Sequence, residues 1–210
     1  MATTRASRDV AVAVLAKAPL PGLAKTRLIP SLGAERAAAL QARLIARAVA
    51  TAIAAGVGPV TLWATPDASH PLFQQFAPRI SCACQPEGDL GARMLAAFSA
   101  AGGPALLIGT DCPALTADYL RASATILREG VDVAIIATED GGYALIGMNR
   151  LQPALLIDMP WSTPQVMAET CRRLARLHLS WRVPARLWDV DVPDDLGRLR
   201  AEMPDLLDAL

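Results

Sequence analysis

VAVAVLAKAPLPGLAKTRL, residues 10–28 of the 210-residue chain, decides the fold. Its first half, VAVAVLAK (residues 10–17), is an unbroken apolar run of strand length, the pattern of a strand buried on both faces of a parallel sheet. Its second half is a Pro/Gly-rich loop. Of the 20 Lys plus Arg in the chain only Lys17 and Lys25 are lysines; Lys17 ends the apolar run and opens the loop, and Lys25 stands within it beside Arg27. Ligands of open parallel sheets lie beyond the carboxyl ends of the strands, so three cations are gathered where an anionic ligand would arrive.

The rhythm set by this strand continues outward. An alanine-rich helix is predicted over residues 34–55, with Glu35, Arg36, Gln41, Arg43 and Arg47 among apolar positions and Gly56 as its left-handed cap. Then follow VTLWA (60–64) and ISCAC (80–84) as strands, a helix over 90–101, PALLIGT (104–110) as a strand, a helix over 116–129, and VDVAIIA (131–137) as a strand. Alternating strands and helices imply a mainly parallel sheet covered on both faces. After Glu139 the rhythm changes: YALIGM (143–148) reads as an antiparallel strand and SWRVPARLWDVDV (180–192) as an extended edge segment interrupted by Pro184. Between them Ser162-Thr-Pro-Gln165 reads as a capping box opening a helix to about His178. The expectation is a flexible N-terminus over residues 1–9 and one α/β domain over 10–210, a three-layer sandwich with a mostly parallel sheet.

Bulk properties narrow the partners. Formal net charge is zero and 53% of residues are hydrophobic, which argues against nucleic acid as the main partner. The apolar stretch 10–16 is too short for a signal core or a membrane span, so a cytoplasmic protein without a membrane span is expected. Cys82, Cys84, Cys112 and Cys171 contain no Cys-x-x-Cys pair, as expected of reduced thiols. The apolar surplus suits a homodimer without requiring one.

Chemistry-bearing residues cluster at the predicted carboxyl ends of strands. Pro19, Pro21 and Gly22 turn the first loop, and Lys17, Lys25 and Arg27 there suit the phosphates of a nucleotide. A solvated basic loop is the plain alternative. Ala24, not glycine, precedes Lys25, which excludes a Walker A loop, and no G-x-G-x-x-G is present. Asp111 follows an apolar strand and is followed by Cys112-Pro113; Asp189 and Asp191, two apart, share a face if extended. Carboxylates beside a phosphate make a Mg2+ or Mn2+ site, although Asp111 and Asp191 each also sit where a turn or helix-start aspartate would. Gly88, Asp89, Gly91 and Arg93 in QPEGDLGARM, and Asp140, Gly141, Gly142 and Tyr143 in EDGGY, are candidates for base, sugar or acceptor contacts, or simply turn residues. His70 and His178 read as uninformative, Ser162 as a helix cap, and Trp161, Trp181 and Trp188 as packing.

Together the ordered motifs K-A-P-x-P-G-x-x-K-T-R-L, G-D-L-G-A-R-M, G-T-D-C-P-A-L, D-G-G-Y-x-L-I-G, W-S-T and D-V-D-x-P-x-D-L resemble the bacterial glycosyltransferase-like family labelled arsenosugar-biosynthesis glycosyltransferases. That family belongs to the nucleotide-diphospho-sugar transferase superfamily and is similar at its N-terminus to 2-phospholactate and molybdenum-cofactor guanylyltransferases. The resemblance implies a GT-A type sheet, Asp111 as metal aspartate, Asp191 as the later metal-side carboxylate, Lys17, Lys25 and Arg27 in the phosphate loop, and 88–93 near the nucleobase. One departure is plain: many GT-A glycosyltransferases carry Asp-x-Asp at the central strand, whereas here Pro113 stands two after Asp111.

The expected function is a metal-dependent transferase, with Mg2+ or Mn2+, that moves a sugar from a nucleotide-sugar donor to a small acceptor. Lys25, Asp111 and Asp140 are its expected catalytic groups. Alternatives are a guanylyltransferase-like nucleotidyl transfer joining a nucleoside triphosphate to a phosphorylated acceptor, and a non-catalytic nucleotide-binding protein on the same scaffold.

Overall fold

The computed structural model describes residues 9–208, so the N-terminal segment 1–9 lies outside the described residues but for Asp9. In chain order the elements begin with β1 (Ala11–Lys17), a 3-10 turn (Thr26–Leu28), α1 (Ile29–Leu32), α2 (Ala34–Ala55) and β2 (Val60–Thr65). Next come α3 (Pro71–Gln74), β3 (Ser81–Cys84), α4 (Leu90–Ala101), β4 (Ala105–Ile108), α5 (Ala117–Arg128) and β5 (Val133–Thr138). The chain closes with β6 (Tyr143–Met148), a 3-10 turn (Pro153–Leu155), α6 (Val166–Arg176), β7 (Trp181–Leu187), α7 (Asp195–Glu202) and a last 3-10 turn (Pro204–Leu206).

One seven-stranded sheet runs in the order β3-β2-β1-β4-β6-β5-β7. β1 pairs in parallel with β2 and β4, and β7 in parallel with β5; β6 alone runs antiparallel, between β4 and β5. β1, β4 and β5 are apolar on both faces because helices cover both. Val12, Val14, Leu106 and Ile108 point into a core with Ile45 and Val49 of α2 and Leu120 and Leu127 of α5. Ala13, Leu107, Val133 and Ile135 point the other way, against Met94 and Phe98 of α4 and Leu174 of α6. A third cluster joins Leu28, Leu40 and Leu44 to Trp188, Val190, Leu196, Leu199 and Leu206, tying the first loop and α2 to the C-terminal segment. α2 is long and apolar enough to cross a membrane by length and composition. Its apolar face is buried in the first and third clusters.

Two local expectations differ from the structure. The capping box at Ser162 does not form: Ser162 takes a left-handed φ of 61°, Thr163 donates its hydroxyl to the Pro160 carbonyl (2.7 Å), and α6 starts only at Val166. Pro160 and Pro164 favour a turn there over an early helix start. The extended stretch 180–192 is a strand only to Leu187, so Asp189 and Asp191 stand in the loop beyond it and do not share a strand face.

Candidate active site

The carboxyl ends of β1, β4, β5 and β7 open onto a cleft of about 690 Å³. Asp111, just past β4, is held from both sides. Gln41, 4% exposed in the middle of α2, donates its side-chain amide to Thr110 Oγ1 (3.1 Å), and Arg47 Nε reaches the Pro113 carbonyl (2.7 Å). The Val190 amide donates to the Asp111 carbonyl (2.8 Å), which brings the C-terminal loop alongside. Asp195 Oδ2 accepts the amides of Asp191 and Val192, both at 2.7 Å, so Asp195 supports the start of α7 and the Asp191 side chain is left to the cleft.

Lys25 lies where these pieces meet. Its backbone is left-handed, with φ 46° and ψ 45°, and its side chain is only 5% exposed. Nζ donates to Asp111 Oδ1, to the Val190 carbonyl (2.6 Å) and to Asp191 Oδ1 (3.0 Å). Asp111 and Asp191 keep 47% and 42% of their side chains exposed toward the cleft. Burial by itself would lower the Lys25 pKa, but the charges of Asp111 and Asp191 and their hydrogen bonds prevail and hold the ammonium above its ordinary range. Asp189 shows the opposite balance: burial, then the charges of Asp140 and Asp191, push its carboxyl up to about 6.

Of the residues singled out in the sequence, Lys17, Lys25, Arg27, Arg93, Asp111, Asp140, Gly142, Tyr143, Asp189 and Asp191 line this cleft. Pro21, Gly22, Gly88, Asp89, Gly91 and Gly141 stand outside its lining and shape the backbone around it. Asp89 is the N-cap of α4, accepting the Ala92 amide at 2.8 Å. Gly91 is a packing contact: a methyl group there would stand 2.2 Å from the Leu156 carbonyl oxygen. Asp140 Oδ1 accepts from Thr138 Oγ1 (2.5 Å) and the Gly142 amide (3.0 Å), fixing that carboxylate at the rim. Neighbouring Glu139 is engaged instead by Arg198, at 3.0 Å. Burial pushes the Cys112 thiol up to about 12, so it stays a neutral packing group beside Asp111.

Among the other residues that line the cleft, Gln85, Trp161 and Ser162 carry polar or aromatic groups that the sequence does not single out as site residues. Gln85 follows β3 and donates both amide hydrogens to backbone carbonyls, Ala16 (3.2 Å) and Trp63 (2.7 Å), with its Oε1 facing Arg93 Nη1 at 3.5 Å. Its place as first residue of QPEGDLGARM, at a strand's carboxyl end, was the available signal. Trp161 and Ser162 line the far wall, Trp161 set edge-on against Tyr143 with ring centroids 6.3 Å apart. Only the tertiary turn aims them inward.

Residues 48–163, more than half of the chain, match a family described as an uncharacterized protein conserved in bacteria, DUF2064. No curated protein matches. The fold is similar to that of a Desulfovibrio desulfuricans G20 protein proposed to be a nucleotide-diphospho-sugar transferase, with a TM-score of 0.82, 25% identity and coverage of 92% of this chain and 88% of that one. A nucleotidyl transferase from Methanothermobacter thermautotroptrophicus is similar at a TM-score of 0.61 and 17% identity, over 94% of this chain and 99% of that one. Glucosyl-3-phosphoglycerate synthase from Mycobacterium tuberculosis, solved with Mn2+, UDP and glucosyl-3-phosphoglycerate, is similar at 0.50 and 12% identity, over 97% and 80%. The chain therefore has the fold shared by nucleotide-diphospho-sugar transferases and nucleotidyltransferases.

Proposed function

Because the chain belongs to the DUF2064 family and carries this fold, we propose that it is a metal-dependent transferase that moves a sugar from a nucleotide-sugar donor to a small acceptor. The observation that carries the reading is the convergence of Asp111 Oδ1, Asp191 Oδ1 and the Val190 carbonyl on one point at the mouth of the cleft. Three oxygens, two of them anionic, suit a hard cation such as Mg2+ or Mn2+ that completes its shell with water and phosphate oxygens. Among the described residues no group of three or more His, Cys, Asp or Glu is arranged to hold a metal, so the Val190 carbonyl, water and the substrate would have to complete the shell begun by Asp111 and Asp191. Bound there, the metal supplies charge neutralisation on the diphosphate leaving group.

The protein's own groups do the rest. Lys17, at the end of β1, and Arg27, in the loop that follows, are both exposed and bind the diphosphate from the β1 side. Gln85 and Arg93 border the β3 end of the cleft, where the base would lie. Asp140, held by Thr138 and Gly142, accepts the proton of the acceptor hydroxyl as its oxygen bonds to the anomeric carbon; the bond from that carbon to phosphate breaks, and the nucleoside diphosphate leaves with the electron pair. The resemblance to arsenosugar-type glycosyltransferases supports sugar transfer. A second reading, nucleotidyl transfer from a triphosphate, is favoured by Pro113 standing where Asp-x-Asp enzymes carry a second carboxylate.

A thermal-shift screen of nucleoside triphosphates and nucleotide-sugars, each with Mn2+ or EDTA, tests the proposal. Ligand at a hundred times its dissociation constant adds about 2.7 kcal/mol. A Mn2+-dependent shift with one nucleotide-sugar, lost in Asp111→Asn, is the expected result. A shift with one triphosphate alone turns the reading to nucleotidyl transfer, and no shift with any nucleotide overturns both.

A further inference from the structure

The Lys25 ammonium has three N–H bonds and three protein acceptors, so in this arrangement it has no proton left for a phosphate. Those acceptors are the same three oxygens that suit a divalent cation. We infer that Lys25 and the metal are alternative occupants of one oxygen triad, Asp111, Asp191 and the Val190 carbonyl, and that loading the metal releases the Lys25 ammonium to the substrate's phosphates. The inference rests on the metal-dependent reading above.

Three features of the site lead to exchange rather than joint occupancy. Metal-to-oxygen distances are about 2.0–2.1 Å for Mg2+, shorter than the 2.6 and 3.0 Å that Nζ keeps to Val190 and Asp191, so a metal at the centre would draw the oxygens inward onto the place Nζ holds. A second cation there would also lie within a few Å of the first in a pocket where Lys25 is 5% exposed and screening is weak. The two carboxylates, at 47% and 42% exposure, remain open to solvent, so an ion approaches from the cleft while Lys25 enters from the protein side. Its flexible four-carbon stem lets the ammonium swing without unfolding the loop.

Exchange has a functional consequence. With Lys25 in place the cluster of two carboxylates and one ammonium is net negative and repels phosphate. With the divalent cation in place and Lys25 released, the same groups are net positive and attract it. Phosphate binding is thereby made conditional on the metal.

Because the chain has only two lysines, the side-chain nitrogens can be watched directly. In wild-type protein labelled with 15N-lysine, the buried Lys25 ammonium should give a slowly exchanging signal that loses its shelter on adding Mg2+ without nucleotide, while Lys17 is unchanged. In parallel, Mn2+ titrations followed by electron paramagnetic resonance should show Lys25→Met binding Mn2+ at least tenfold more tightly than wild type, with Lys17→Met within twofold of wild type. A Lys25 signal still sheltered at saturating Mg2+ overturns the exchange, as does equal or weaker Mn2+ binding by Lys25→Met; in both cases the metal site itself stands. Mn2+ bound by neither wild type nor Lys25→Met removes the metal reading and the exchange together.

Discussion

Gly141 sits at φ +93°, and a methyl group built on it would stand 2.2 Å from the Pro164 carbonyl oxygen. Gly130, beyond α5, has the same φ of +93° with nothing within 4 Å. The pair separates backbone strain from collision. Gly130→Ala should lower stability by about 1 kcal/mol, the strain of a left-handed non-glycine residue. Gly141→Ala should exceed it by about 2 kcal/mol or more in urea unfolding, since the loop carrying Pro164 must move; equal losses would mean that the contact relaxes freely. This residue was legible as unusual in EDGGY, but its partner was not, being 23 positions away in a turn that the sequence presents as a helix start. Lys25 is the same case at larger separation. Its place in a lysine-bearing loop was visible, and Asp111 stood out at the end of an apolar strand, yet their hydrogen bond spans 86 positions and the one to Asp191 spans 166. Local sequence indicates which residues are chemically unusual; only the strand order determines which of them meet.

At the scale of elements, the strand and helix rhythm was legible because β1, β4 and β5 are buried on both faces and α2 and α4 end at glycines in left-handed caps, Gly56 and Gly102. The loop between β6 and α6 was not, because its order comes from one side chain. Arg173, on the buried side of α6, donates to the carbonyls of Ala154 (2.9 Å), Ile157 (2.5 Å) and Asp158 (2.6 Å), and pairs with Glu169 at 2.6 Å. Those carbonyls belong to the loop that delivers Trp161 to the cleft wall. Arg173→Met keeps the bulk but leaves the carbonyls unpaired, and should destabilise the protein by about 3 kcal/mol in urea unfolding, well beyond Arg172→Met. Glu169 gives this latch a pH dependence. Hydrogen bonds from Arg172 and then Arg173 hold its carboxyl down to about 2, below the ordinary 4.5. A folded-state pKa below the unfolded one means the contribution is present above about 4.5 and is lost as pH falls toward about 2. The stability gap between wild type and Glu169→Gln should therefore close across that window, and a gap unchanged from pH 5 to pH 2 would rule out the ion pair as its source.

For the whole molecule, the decisive feature is how the chain's last segment returns to its first loop. Asp191 reaches Lys25 only because β7 runs parallel to β5 at one edge of the sheet and the chain then crosses back over the cleft mouth, where Trp188, Val190, Leu196 and Leu199 pack on Leu28, Leu40 and Leu44. That cluster is apolar, yet it sets the distance between the Lys25 loop and the Asp191 loop. Leu199, fully buried in α7, should on truncation to Ala cost about 2–5 kcal/mol of stability, as large-to-small core changes do. Leu127, 2% exposed at the far end of α5, should cost a similar amount in Leu127→Ala. Their effects on the site should differ. Leu199→Ala loosens the seam that aligns Asp191 with Asp111 and should weaken Mn2+ binding at least tenfold under conditions where the variant is fully folded, because a metal held by oxygens from two segments depends on their spacing. Leu127→Ala leaves that seam intact and should bind Mn2+ within twofold of wild type. Both affinities are measured by titration well below each variant's melting temperature. If the two variants weaken binding equally, the site responds to overall stability and the seam has no special part in aligning it.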